Sequence, residues 1–266
     1  MIFTKVDACT SDEQVEKLAR RLKIYYRACI GSFIYLSSKI VDLSFSMNKL
    51  GKVSAKPDKL NFEGLIHLLR YIKDNKTLGL KYCANINNEL VSNLLIQASI
   101  KTENQLMDFS DSSLQDFPVT GKITEAYIIF YKYGPINHGT HVPEPVSQSI
   151  AEKFYNVAYT AGMALAHFRV LIHKLLNKHP DIIPSEAPLI ILNSKSAVFM
   201  ANNGKDTKHT RRIARIMNFV RNAEKCKMHK IYWCQGGLKL ADIATKNVGE
   251  NYLNPRMKYI MVRIDK

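Results

Sequence analysis

The sequence predicts an α/β fold: a mixed sheet of five strands with flanking helices, preceded by a mainly helical segment. Three observations predict it. Residues 11 to about 76 carry apolar side chains at three- and four-residue spacing, the period of a helix. Residues 124–142 then turn to aromatic and β-branched runs around a Gly-Pro pair, the pattern of paired strands. Beyond them, short apolar runs alternate with helical stretches, as in a sheet covered by helices.

The elements follow in order. "DEQVEKLARRLKIYYRACIGSFIYLSSKIVDLSFSMNKL" opens the helical segment. A turn at Lys56-Pro57-Asp58 starts a further helix, "KLNFEGLIHLLRYIKDN", with Asp58 as its N-cap because a short carboxylate can accept from an otherwise orphaned helix N–H. "LGLKY", Leu78–Tyr82, reads as a strand. The pattern changes over Asn85 to Thr102, which sets a helical domain over 1–84, a linker over 85–102 and a second domain over 103–266. "NQLMDFSDS" alternates weakly and reads as a strand, "TEAYIIFYKYG" as another, Gly134-Pro135 as a turn and "INHGTHV" as the partner strand. A long helix is predicted from about Ser147 to Asn177. "APLIILN" is almost wholly apolar and suits a strand buried on both faces. Helices at about 195–203 and 207–225, a last strand "MHKIYWC" and a helix beginning near Leu238 complete the order β-β-β-α-β-α-α-β-α.

Length and charge narrow the function. A chain of 266 residues can bury a substantial core. Its 38 Lys and Arg against 23 Asp and Glu give a net charge of +15, which points to a polyanionic partner, nucleic acid above all. A membrane partner is not expected: no apolar run reaches the roughly 18 residues of a span. The N-terminal "MIFTKVDACTSDEQ" turns polar too soon for a signal peptide. Five scattered cysteines, Cys9, Cys29, Cys83, Cys226 and Cys234, have no zinc-binding spacing and read as free thiols in a reducing, intracellular setting.

At the level of motifs the chain resembles the end of a copia-type LTR retrotransposon Pol polyprotein. "YYRACIGSFIYLSSKIVDLSFSMNKLGKVSAKP" (25–57) resembles the stretch after the reverse-transcriptase palm, and "LIHLLRYIKDNKTLGLKY" (65–82) the thumb and connection. "KHTRRIARIMNFVR" and "GLKLADIATKNV" resemble segments of the family's ribonuclease H domain. The resemblance covers about residues 25 to 260. It implies a ribonuclease H-like sheet, a nucleic-acid partner, magnesium as cofactor, and the upstream reverse-transcriptase part of the polyprotein as a possible partner. The polymerase motif Y-x-D-D is absent, which excludes nucleotide addition by this chain.

The same resemblance implies four site positions. Ribonuclease H chemistry uses two magnesium ions held by hard, charged oxygens delivered from separate elements. Asp111 in "FSDSS" resembles the first-strand carboxylate, with Asp108 and Asp116 as neighbours that could be confused with it. Glu152, in "SQSIAEKFYNVAYTAG", resembles the glutamate at the start of the long helix; Glu152 is also simply a favourable charge at a helix N-terminus. Asn193 in "LNSKSAV" stands where the family motif has aspartate, and Asp242 in "LADIATK" resembles the fourth carboxylate. The implied catalytic set is therefore Asp111, Glu152, Asn193 and Asp242. The charged metal ligands among them are Asp111, Glu152 and Asp242, with magnesium binding weakened or lost through Asn193. Gln235 and Glu125-Ala126 also depart from the family pattern.

The densest basic segment is Lys205 to Lys227. On a helix, Lys208, Arg211, Arg212 and Arg215, extended by Arg221, form the implied nucleic-acid-binding face, with His209 a phosphate contact or a helix-start residue, while Ile213, Ile216, Phe219 and Val220 turn to the core. A solvated helix face is the bland alternative. His67, Arg70 and Lys73 could extend the basic track. Three functions stay open on the sequence: a degenerate ribonuclease H-like module that binds an RNA–DNA hybrid or RNA, a working ribonuclease H, and a scaffold recruited into a larger assembly.

Overall fold

The structure, a computed structural model, describes residues 11–82, 89–97, 106–113, 123–143, 150–175, 187–202, 214–235 and 239–263. Its elements in chain order begin with α1 (Asp12–Leu22), α2 (Tyr26–Ser37), α3 (Ser44–Lys52), α4 (Lys59–Asp74), β1 (Leu78–Leu80) and α5 (Glu89–Gln97). There follow β2 (Leu106–Ser112), β3 (Glu125–Tyr131), β4 (Gly134–His141), α6 (Ile150–Leu175), β5 (Leu189–Leu192) and α7 (Lys195–Asn202). The chain then forms α8 (Ala214–Lys225), β6 (Lys230–Trp233), α9 (Asp242–Thr245), α10 (Glu250–Met257) and β7 (Met261–Arg263). The described residues divide into two compact units, one up to Lys81 together with those from Lys246 onward, the other within Tyr82–Thr245.

In the first unit, α4 is amphipathic and buries Phe62, Leu65 and Leu68 against Tyr26, Ile30, Leu43, Met47 and Leu50. Tyr26 and Phe62 meet edge to face at 5.1 Å. The Asp58 side chain accepts from the Asn61 N–H at 2.7 Å, as its N-cap reading expects. Asp58→Ala should therefore cost this unit about 1 kcal/mol. A urea titration followed by far-UV circular dichroism checks it, and an unchanged midpoint would rule out a stabilising cap. The stretch 246–263, which the sequence reading runs on with the second domain, joins the first unit instead. β7 pairs antiparallel with β1, Leu78 opposite Arg263 and Leu80 opposite Met261. Neither α10 nor β7 was expected. Pro255 inside α10 masks the helix, and a three-residue strand has too little pattern to read.

The second unit carries the expected five-stranded mixed sheet with flanking helices. The strand order is β4-β3-β2-β5-β6. β2, β3 and β4 are antiparallel neighbours, and β5 and β6 run parallel to β2. β2 lies at the centre, and all seven of its residues are buried, Asp108, Ser110 and Asp111 included. One face of the sheet takes α6. Leu106, Ile129, Ile190 and Leu192 pack there with Phe154, Tyr155, Ala158, Ala161 and Leu165. Gly162 lets α6 come down on His229, since a Cβ there would lie 3.1 Å from the imidazole ring. Burial in that contact pushes the His229 pKa down to about 4, so the ring is neutral.

Two local readings are corrected. Gly134-Pro135 is not the turn. The hairpin turns one step earlier at Lys132-Tyr133, with Lys132 left-handed at φ 56°, and Gly134-Pro135 opens β4. Proline is tolerated there because β4 is an edge strand and the register shifts between Ile129 and Phe130, so no ladder donor is missed. Residues 85–102, expected as a linker, hold α5, whose Val91 is fully buried. No helix among the described residues is long and apolar enough to cross a membrane.

Candidate functional site

Strand register assembles the site. β2 and β5 run parallel, paired as far as Phe109 opposite Ile191, and Asp111 and Asn193 follow two residues beyond that last pair, at the same end of the sheet. β5 and β6 pair Leu192 with Trp233, which brings Cys234 beside Asn193 at the same end of the sheet. Asp242, the first residue of α9, reaches the cluster from outside the sheet. The Lys239 ammonium binds Asp111 Oδ1 at 3.2 Å and Asp242 Oδ1 at 3.3 Å, so these two carboxylates meet although 131 positions separate them in sequence. The Thr245 hydroxyl donates to Asp111 Oδ2 at 2.6 Å. Asp111 and Asp242 are both buried, and the Lys239 side chain is 12% exposed. Burial pushes the neighbouring Cys234 thiol up to about 11, with Lys239 opposing and the two carboxylates adding to the rise, so it stays a neutral thiol.

Glu152 lies buried in the first turn of α6. Its neighbour Lys153 is also buried and donates to the Ser112 carbonyl at 2.6 Å, which places the start of α6 at the end of β2 that carries Asp111. Asn193 is partly buried, and its backbone carbonyl accepts from the Trp233 indole at 3.3 Å. Among the described residues its side-chain oxygen is buried without a hydrogen-bond partner. Asp108 is separated from Asp111 by the pleat. It pairs with Ile129 in register, on the face that takes α6, and accepts from the Ser110 hydroxyl. Glu125 meets His141 at 3.0 Å across β3 and β4. Asp116 lies outside the described residues.

This donor set does not suit a divalent cation. Both oxygens of Asp111 are taken, one by an ammonium, and Asp242 shares that ammonium. Asn193 brings no charge. Among the described residues, no three of His, Cys, Asp and Glu are placed to hold one metal ion. The sequence reading missed Lys239, Lys153 and the role of Thr245. Lys239 stands three residues before Asp242, close enough to pair across the entry to α9, a spacing that the sequence offers without showing that the pair is enclosed.

Of the basic face, Lys208, His209, Arg211 and Arg212 lie outside the described residues, as does Ile213. Arg215 is exposed on α8, while Met217 and Val220 are buried and Ile216 and Phe219 pack against the core. Arg215, Arg221 and Lys225 line a cleft of about 850 Å³ with Asn202, Asn218 and Asn222. On α4, His67, Arg70 and Lys73 are exposed.

No family model matches the chain, and no curated protein matches it at a significant level. Among solved structures, it is similar to the N-terminal RNase H domain of a Mycobacterium tuberculosis protein solved as a fusion with maltose-binding protein. That similarity has 8% identity and a TM-score of 0.38, over 58% of this chain and 96% of that one. It is similar to an RNase H1 isolated from compost by a metagenomic approach at 9% identity and a TM-score of 0.37, over 59% and 93%. It is also similar to RNase H1 from the halophilic archaeon Halobacterium salinarum at 10% identity and a TM-score of 0.36, over 57% and 98%.

Proposed function

We propose that the second unit is a ribonuclease H-like module of copia-type retrotransposon Pol descent. In this reading it binds an RNA–DNA hybrid or structured RNA inside the cell, and its two-metal site is degenerate and silent. Asp111, Glu152, Asn193 and Asp242 are the descendants of the catalytic set, with magnesium binding weakened or lost. The observation that carries the reading is Asn193: it follows β5 at the end of the sheet where Asp111 ends β2, and it supplies an amide where a metal site calls for charge. The net charge of +15 and the exposed Arg215 beside a basic cleft support a phosphate-gripping surface that ignores base identity.

The test uses the full chain and a labelled RNA–DNA hybrid. Affinity should fall linearly with the logarithm of salt concentration, and Arg215→Ala should reduce that slope by about 1. No RNA strand should be cut with magnesium or manganese present. Cleavage would overturn the silent site, and binding that ignores salt would overturn the phosphate-gripping surface.

A further inference from the structure

We infer that Lys239 is a resident cation: its ammonium stands in for a divalent metal between Asp111 and Asp242, so this end of the sheet is charge-compensated by the chain itself. The inference rests on reading these carboxylates as a former metal site, and it adds what now fills that site.

Three observations carry it. The Lys239 Nζ lies within 3.3 Å of an oxygen from each carboxylate, a bridging position rather than a one-sided surface pair. The side chains are enclosed, at 12%, 1% and 8% exposure for Lys239, Asp111 and Asp242, so solvent cannot supply the compensating charge. The Thr245 hydroxyl takes the remaining Asp111 oxygen, so the carboxylate is satisfied by the chain on both sides. A second buried ammonium, Lys153, sits on the Ser112 carbonyl one residue along β2, next in sequence to Glu152. Two lysines thus accompany the three remaining carboxylates. The loss of charge at Asn193 and the presence of Lys239 become one change rather than two. An ammonium needs fewer anionic ligands than a pair of divalent ions, and a neutral residue at 193 is then no defect.

The experiment is Mn²⁺ binding to the full chain, read by electron paramagnetic resonance of the free ion and by the Mn²⁺-dependent shift of the melting temperature. The unaltered chain and Lys239→Arg, which keeps the cation, should show no saturable binding at millimolar Mn²⁺. Lys239→Met removes the ammonium at similar length. It should bind Mn²⁺ by ~10–100-fold more tightly than the unaltered chain, and Lys239→Met/Asn193→Asp tighter still. If Lys239→Met is unfolded alone, adding Mn²⁺ should restore the native Trp233 emission maximum, and the same buffer without Mn²⁺ should not. Two results overturn the inference: saturable Mn²⁺ binding by the unaltered chain that Asp242→Asn abolishes, or a Lys239→Met chain that neither gains Mn²⁺ affinity nor is restored by it. Hybrid affinity measured on the same proteins keeps the two readings apart. Its loss would sink the nucleic-acid function and leave the Mn²⁺ result standing.

Discussion

Asp108→Asn should abolish a loss of stability that the unaltered chain shows between about pH 6.5 and 8. Asp108 is wholly buried, and burial lifts its carboxyl to about 8, against the opposing effect of hydrogen bonds from the Ser110 hydroxyl and the Ile128 backbone. In the unfolded chain an aspartate titrates near ~4. Between those values the folded state holds a proton that the unfolded state has released, so this group's stabilisation is complete below ~4 and is lost as pH rises toward 8. His229 acts with the opposite sign. Its pKa falls to about 4 when folded, from roughly 6.5 when unfolded, so its contribution is complete above ~6.5 and lost as pH falls toward 4. The two oppose each other from 4 to 6.5, and above 6.5 Asp108 acts without His229. The limiting slope there is ~1.4 kcal/mol per pH unit. Asparagine keeps the shape and cannot ionise. Urea unfolding of the second unit, followed through Trp233, the chain's one tryptophan, gives the slope directly. Parallel pH profiles for the two proteins would show that Asp108 is ionised in the folded state.

Asp108 also marks the limit of what the sequence discloses. "NQLMDFSDS" alternates only weakly because β2 is the central strand, covered on both faces, so its polar residues are buried as deeply as its apolar ones. Where burial and composition agree the elements are legible: "APLIILN" yields β5, "TEAYIIFYKYG" yields β3, and Asp58 caps α4. Where an element depends on a distant partner they are not. β7 exists because β1 pairs with it, more than 180 positions away, and no local period announces that. The site divides the same way. The order of the motifs places Asp111 and Asp242 as candidates, and the structure brings them to one ammonium. The three-residue spacing to Asp242 does not single that ammonium out, because a lysine before "LAD" reads equally well as a solvated charge. Its meaning comes from enclosure: the Lys239 side chain is 12% exposed beside α9, which packs against β2 and β3.

Asp111→Asn should destabilise the second unit, by ~3–5 kcal/mol if the ion pair behaves as an enclosed one. The sign is what matters. In a cluster of carboxylates kept apart by an absent metal, neutralising one member relieves repulsion and stabilises the fold. In the arrangement found here, Asp111 is 1% exposed and accepts from Lys239 at 3.2 Å and Thr245 at 2.6 Å. Asparagine can still accept from Thr245, but it removes half the negative charge that holds Lys239 in place, leaving Asp242 alone to compensate a largely buried cation. Asp108→Asn, three residues earlier on the same strand, should instead improve stability above pH 6.5, because among the described residues that carboxylate has no cationic partner and burial opposes its charge. Lys239→Met in the Asp111→Asn background removes the stranded cation, so the double variant should lose less than the sum of the two single losses. Chemical unfolding in metal-free buffer, read through Trp233, measures the unaltered chain, the three single variants and the double variant on one scale. A stabilised Asp111→Asn chain would mean that Lys239 does not neutralise the pair, and that the carboxylates at this end of the sheet still repel one another as they would in an empty metal site.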